Sequence, residues 1–315
     1  MKRKWLFFLC CLLPLLGCSA EVAHSAAGIA CDTVVTVTAY APQQTVDETL
    51  RVIADYEALL SKTVEGSDIR RLNHAEGAPV EVHPETAALL RLAVEIGEES
   101  EGAFDVTIAP LSAMWDFTSD DPVPPDPDAL TAAAALVDYR NIVIDGNTVT
   151  LLNGAEIDLG GIAKGYIADR VAAFLRQKGV RSACINMGGN VVTIGTKPNG
   201  DPWTIGIRDP NGTPEQSEEV LELGEAAVVT SGNYERFFIK DGVRYHHILD
   251  PKTGMPVSTG LASVTVVGSR SDLCDALSTA CFVLGEERSR TLLDRYGVRA
   301  IFLYSDGTRI AYPEP

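Results

Sequence analysis

Residues 158–169, Asp158-Leu159-Gly160-Gly161-Ile162-Ala163-Lys164-Gly165-Tyr166-Ile167-Ala168-Asp169, constrain this chain more than any other stretch. A strand-like run ends in Asp158, two glycines follow, and an amphipathic helix begins with a lysine near its start. A fold that contains this piece must turn sharply at the glycines and leave the first helical N–H groups pointing out of the turn. Those groups and the Lys164 ammonium aim at a common point, where an anionic ligand can sit. The pattern is not a P-loop, which needs four residues between its first glycine and the closing Gly-Lys-Ser/Thr. Plainer roles stay open at this level: Asp158 as an N-cap or Asx turn, Lys164 as a surface lysine lying along its helix.

The elements around it are mixed. Thr33 to Tyr40 alternates and is β-branched, which predicts a strand. Thr45 with Glu48 reads as a capping box before a helix running to about Leu60. Helices are expected from Pro84 to about Glu99, up to Val137 after the Pro- and Asp-rich loop 120–128, from Ile162 to about Lys178 with Gly179 just beyond it, from Asp272 to about Leu284, and from Glu286 to Tyr296. Hairpins are expected at Gly146-Asn147, Asp241-Gly242 and Asp306-Gly307, with a strand run over 184–196 interrupted by Gly188-Gly189 and further strands at 203–208, 220–229 and 261–267. Strands and helices do not alternate regularly, so the reading is α+β: a single composite domain of mixed β-sheets and packed helices.

The N-terminus stands apart. Lys2, Arg3 and Lys4 precede an apolar run, Trp5 to Leu16, that is shorter than the roughly 20 residues of a membrane span. It closes in Leu15-Leu16-Gly17-Cys18, which resembles a bacterial lipobox. The expectation is a signal peptide over residues 1–17, a lipidated Cys18, and a small polar tether to residue 29, with the domain occupying 30–315. The protein would then be exported and held at the membrane by lipid. The chain has 26 basic and 43 acidic residues, a net charge of −17 that becomes −20 once Lys2, Arg3 and Lys4 are removed. Such a balance argues against nucleic acid as a partner. Cys31, Cys184, Cys274 and Cys281 remain in the exported part, without CxxC spacing, and read as buried free thiols.

A second segment carries chemistry. In Asp275-Ala276-Leu277-Ser278-Thr279-Ala280 a carboxylate and a hydroxyl stack one helical turn apart, away from the face formed by Leu277, Ala280, Cys281 and Leu284. Hard oxygens of this kind suit Mg²⁺ or Ca²⁺ and not zinc. Two side chains are too few for a complete shell, and for this segment taken alone a solvated Asp beside a Thr bonded to its own helix is the better reading. His246 and His247 end a strand, so they point to opposite faces: one can be core while the other faces a pocket and moves protons. The small polar Gly turns after apolar strands, at 186–190 and 230–234, and the run 102–107 are of a kind that often faces ligands.

Taken in order, these segments resemble the ApbE-type FAD:protein FMN transferases. The pieces are Ser67-Asp68-Ile69 with Leu72-Asn73, Gly102 through Thr107, Asp158 through Asp169, Asn186 through Asn190, Thr230 through Tyr234, His246 through Pro251, and Asp275 through Thr279. They cover the chain from about residue 30 to its end. The resemblance implies that Asp275, Thr279 and the Gly161 carbonyl bind Mg²⁺. It also implies that Asp158, Lys164 and the segment Ala103-Phe104-Asp105 contact FAD, with Leu249 contributing through its backbone. His247 matches the family's functionally important histidine. Cys31 stands at a flavin-site position where many members have Met, and Thr63 near one where some have an aromatic residue. The implied reaction is attack by a Thr or Ser hydroxyl of an exported client protein on the FMN-side phosphorus of FAD, with AMP leaving. Two other readings use the same motifs: a Mg²⁺-dependent FAD pyrophosphatase, and a lipid-anchored flavin-binding protein without catalysis. An acidic solute-binding lipoprotein would require the ordered motifs to be accidental.

Overall fold

The computed structural model describes residues 22–213 and 216–314. The expected signal peptide and the expected lipidation site, Cys18, lie outside the described residues. No described helix is long and apolar enough to cross a membrane.

The chain begins with a hairpin, β1 (His24–Ala30) and β2 (Thr33–Ala39), turned by Cys31 and Asp32 in left-handed backbone conformations. The expected tether therefore ends early: residues 24–29 are strand, paired in full register with β2. Their Ala, Gly and Ser content hides them from any strand pattern, because the pairing is supplied by β2 and not by their own propensity. Helix α1 (Gln43–Leu60) buries Val46, Thr49, Ile53 and Leu60. It starts two residues ahead of the expected capping box, on Pro42, and has no side-chain cap. Glu48 instead reaches Lys178 at 2.8 Å.

Next come α2 (Asp68–Asn73), β3 (Val80–Glu81), α3 (Pro84–Glu99), α4 (Ala109–Ser112) and α5 (Pro127–Ala134). The hairpin β4 (Ile142–Asp145) and β5 (Thr148–Leu151) turns at Gly146-Asn147 as expected and joins β3 in a three-stranded sheet. Helix α6 (Ala163–Gln177) follows the glycines and ends before Gly179, which is left-handed. Then come β6 (Ala183–Met187), β7 (Asn190–Ile194), β8 (Trp203–Arg208), β9 (Ser217–Leu223), β10 (Ala226–Gly232), β11 (Phe237–Lys240) and β12 (Val243–His246). The chain closes with β13 (Leu261–Gly268), α7 (Ser271–Leu284), α8 (Glu286–Tyr296), β14 (Arg299–Tyr304) and β15 (Arg309–Tyr312).

The run 220–229, expected as one strand, is two, in different sheets. The break falls at Gly224-Glu225, where the Thr193 hydroxyl donates to the Gly224 carbonyl at 2.6 Å and accepts from the Ala226 N–H at 3.0 Å. That pair of bonds fixes the step from the β8–β9 ribbon into the main sheet.

The main sheet is antiparallel, in the order β1-β2-β6-β7-β10-β13-β14-β15. Its strands alternate between two cores, as a period of two requires. Val229, Val264, Val266, Ala300 and Phe302 face α6 and α7, while Val228, Ile301 and Leu303 face the β8–β9 ribbon with Trp203, Ile205 and Ile207. Three layers result, with α6 and α7 packed side by side on one face. The turn before α6 and the middle of α7 therefore meet where β10 ends.

Candidate active site

The α6–α7 contact is close because Gly165 has no side chain. A Cβ there would lie 2.2 Å from the Ser271 carbonyl oxygen and 2.7 Å from the Asp275 Cβ. Asp275 uses this approach: its Oδ2 accepts the Gly165 N–H at 2.8 Å. That N–H would otherwise close the first helical turn on the Gly161 carbonyl. Among the described residues no backbone N–H bonds the Gly161 oxygen, so it is free to face a ligand. Thr279 stands one turn beyond Asp275, with its Oγ1 3.4 Å from where a Gly161 Cβ would be. Asp275 is 3% exposed, so the solvated-face alternative fails for it. Ser231, at the end of β10, places its Oγ 3.2 Å from the Thr279 Oγ1 and 2.8 Å from the Ser278 Oγ.

One carboxylate with a free oxygen, one carbonyl and one or two hydroxyls thus face a single place. This donor set fits Mg²⁺, a hard cation that accepts oxygen ligands and keeps several waters. The described residues include no group of three or more His, Cys, Asp or Glu poised for a metal. Any cation here would rest on the mixed oxygen set.

Asp158 stands at the other end of the turn, placed by Asn73. The Asn73 amide brackets Ile157, accepting its N–H at 2.7 Å and donating to its carbonyl at 2.8 Å. The Asp158 N–H then donates to the Val106 carbonyl at 2.8 Å. Its carboxylate is fully engaged by protein: Gly160 N–H on Oδ1 at 2.9 Å, and Lys62 Nζ at 2.6 Å and Ser112 Oγ at 2.9 Å on Oδ2. Burial pushes this carboxyl's pKa up, but the Lys62 charge and these bonds outweigh it and hold the pKa below the usual carboxylate value. Lys164 donates to the Gly160 carbonyl at 3.1 Å, which keeps its ammonium over the glycine turn.

Phe104 lines the same turn, with its ring edge 3.2 Å from a Gly161 Cβ position. Asp105, expected at the flavin, spends its carboxylate inside the fold. It accepts the Thr107 N–H at 2.8 Å and hydroxyl at 2.6 Å on Oδ1, and the Tyr139 N–H at 2.8 Å on Oδ2. What the Ala103–Asp105 segment can offer a ligand is backbone and the Phe104 ring.

The two histidines separate as their strand position requires. His246 is buried, edge-on to Phe282, with its Nε2 3.1 Å from the Val257 carbonyl oxygen. His247 faces out and is reached by solvent. The crowded wall around it withholds enough hydration, with help from the Arg236 and Lys164 charges, to push its pKa down to about 4. Its ring is therefore neutral near pH 7 and able to accept a proton. Leu249 buries its side chain among Leu111, Trp115, Leu130 and Phe238. Its flanking residues pair with the 255–257 segment, and those bonds do not use its own N–H or C=O. Cys31 sits in the β1–β2 turn, not in a strand. Its thiol is pushed up to about 11 by burial and by Glu57, and it feels the charges of Lys164 and Asp275. All four described cysteines are free thiols, although Cys31 and Cys184 are only half-buried.

The fold thus gathers Asp158, Gly161, Lys164, Asp275, Thr279 and Phe104 around the glycine turn, with Cys31 and His247 near enough to feel the Lys164 charge. Three participants gave no sequence signal. Lys62 and Ser112 lie in unremarkable stretches 96 and 46 residues from their partner. Arg236 reaches the site only because β11 and β12 fold back, pairing the His247 N–H with its carbonyl at 3.1 Å.

The model of the ApbE family matches residues 31–302. The chain belongs to the ApbE family. A protein of Treponema pallidum named FAD:protein FMN transferase is 40% identical over 279 residues, covering 82% of this chain and 77% of that one. Another of that name, from Vibrio cholerae, is 33% identical over 306 residues, covering 93% and 91%. Among solved structures, the ApbE protein of Thermotoga maritima superposes with a TM-score of 0.85 at 33% identity, covering 92% of this chain and 96% of its own. The flavin transferase ApbE of Vibrio cholerae gives 0.82 at 28% identity, with the same coverage. The α+β architecture read from sequence is thus that of the ApbE fold, one antiparallel sheet between helices and a ribbon.

Proposed function

We propose that this ApbE-family enzyme moves FMN from FAD onto a Thr or Ser hydroxyl of an exported acceptor protein, with Mg²⁺, releasing AMP. Its curated relatives carry the name FAD:protein FMN transferase, which supports the reaction class. The observation that carries the finer reading is the capture of the Gly165 N–H by Asp275. It frees the Gly161 carbonyl and aligns three hard oxygens beside the Lys164 ammonium.

Each residue has a task. Asp275, Thr279 and the Gly161 carbonyl would hold Mg²⁺, whose charge, when bound, offsets that of the FAD pyrophosphate. Lys164 adds a fixed cation on the same side, which matters in a chain of net charge −17. Phe104 and the backbone of its segment wall the flavin side. The neutral His247 accepts the acceptor hydroxyl's proton as its oxygen bonds the FMN-side phosphorus. The bond from that phosphorus to the bridging oxygen breaks, and AMP departs with the electron pair. Positioning and charge stabilisation supply most of the rate.

A hydrolytic reading rests on the exposure of His247, since water can reach the same ring. It would yield FMN and AMP without acceptor. The test incubates full-length protein in detergent with FAD, with and without Mg²⁺ and an acceptor domain, and follows AMP and protein-bound flavin. AMP that requires both Mg²⁺ and acceptor, with FMN covalently on the acceptor, is the expected result. AMP with free FMN in the absence of acceptor would give the site to the hydrolase. The same reading places the enzyme outside the cytoplasm, held by lipid on Cys18. Cys18→Ser should shift it from the membrane fraction to the soluble one.

A further inference from the structure

We propose that Lys62 is a specificity residue of this site: its ammonium cancels the Asp158 charge, so that the glycine turn accepts a phosphorylated flavin. The inference rests on the flavin reading above and adds a residue to it. Lys62 follows α1 and crosses 96 residues of sequence to reach Asp158 at 2.6 Å and the Ser112 hydroxyl at 3.1 Å. Ser112 completes a three-membered ring by donating to the same Asp158 oxygen at 2.9 Å. Both members of the ion pair are partly sheltered, at 34% and 19% side-chain exposure.

The geometry makes this pair an electrostatic element of the site and not a surface ornament. The Asp158 Oδ1 holds the Gly160 N–H at 2.9 Å, and the Lys164 Nζ holds the Gly160 carbonyl at 3.1 Å, so the carboxylate and the ammonium are tied to the two backbone groups of the same glycine. Around the turn, Lys62 and Lys164 balance Asp158 and Asp275. Without Lys62 the four-charge corner becomes a net anion, in a chain already at −17, where a pyrophosphate must bind. Asp158 cannot simply be dropped, because it fixes the Gly160–Gly161 turn through its bond to Gly160. Lys62 therefore allows a structurally required carboxylate to stand beside a polyanion. A ligand with no phosphate has little to gain from it.

The experiment titrates full-length protein in detergent with FAD, FMN and riboflavin by flavin fluorescence, at low ionic strength. The variants are Lys62→Met, Lys62→Arg and Lys62→Met combined with Asp158→Asn, each checked by thermal melting. Lys62→Met should weaken FAD and FMN about tenfold and riboflavin less than about threefold, because only the phosphates meet the uncompensated carboxylate. Lys62→Arg should stay near wild type, and the double variant should recover most of the FAD affinity. Equal losses for riboflavin and FAD, or no recovery in the double variant, would overturn the role given to Lys62. Should Lys62→Met melt early, the double variant decides alone, since it removes both charges together. Wild-type protein that binds none of the three flavins would instead overturn the flavin reading on which the inference rests.

Discussion

At the scale of single residues, chemistry depends on how the fold sets protonation. His247 has its pKa lowered to about 4 by crowding and by Arg236 and Lys164. The protonated ring appears only as pH falls toward that value, so a base at this position works across the neutral range. Transfer should hold steady from about pH 8 to about pH 5 as far as His247 is concerned, then fall along an acid limb near pH 4 in kcat/KM. Arg236→Met removes a positive neighbour and should move that limb upward. A limb that stays put would mean that another group titrates. His247→Ala should cost roughly 10²–10⁴ in transfer rate while FAD binding persists; full activity in that variant would remove His247 from the mechanism. Asn73 works differently, by holding the Ile157 backbone from both sides. Asn73→Leu should lower stability by about 1–3 kcal/mol, because it strands both the N–H and the C=O of buried Ile157. Chemical denaturation would measure this, with a weakened Asp158 corner as its functional echo.

At the scale of elements, the α6–α7 crossing decides whether the oxygen ligands converge. Gly165→Ala puts a methyl into the Ser271 carbonyl and the Asp275 Cβ, both rigid parts of a helix. The helices must separate, at a cost of about 1–3 kcal/mol or more, and the Asp275 bond to the Gly165 N–H lengthens or breaks. The expected signature is a drop in Mg²⁺ affinity, read by metal titration of thermal stability, that exceeds the loss in FAD binding. A variant that binds Mg²⁺ normally would show that the crossing has slack. This crossing also marks how far sequence carries. The glycine turn, its lysine and the Asp275–Thr279 spacing were legible because each is a local pattern. What Gly165 does was not legible, since its meaning lies in a helix more than a hundred positions away. The same holds for Lys62, which no periodicity marks, and for Asp105, whose motif membership concealed a carboxylate turned inward onto Thr107 and Tyr139. β1 escaped for a related reason: Ala- and Gly-rich residues become strand only because β2 offers an edge, and Gly224 splits one apparent strand only because Thr193 pins the bend.

At the scale of the molecule, the site is assembled from parts held by different cores. The metal-facing oxygens and Lys164 belong to the large core under the main sheet. His247 follows β12, whose ribbon is seated on a separate cluster of Leu111, Trp115, Leu130, Phe238 and Leu249. Trp115 is its keystone, stacked near Phe117 and against Phe238 and Tyr245, with its indole N–H donating to the Gly254 carbonyl at 2.9 Å. Removing such a side chain typically costs about 3–5 kcal/mol. Because the cluster is distinct from the main core, the damage should stay where the contacts are. In Trp115→Ala the amides of Phe238 to Tyr245 should exchange faster with solvent while those of β10 and β13 keep their protection. Transfer should slow because His247 is no longer held in place, with FAD and Mg²⁺ affinity less affected. Hydrogen exchange resolved by peptide separates the outcomes. Faster exchange confined to the ribbon supports a base carried on its own small core. Uniform loss of protection across β10 and β13 would mean that the ribbon and the sheet unfold as one unit.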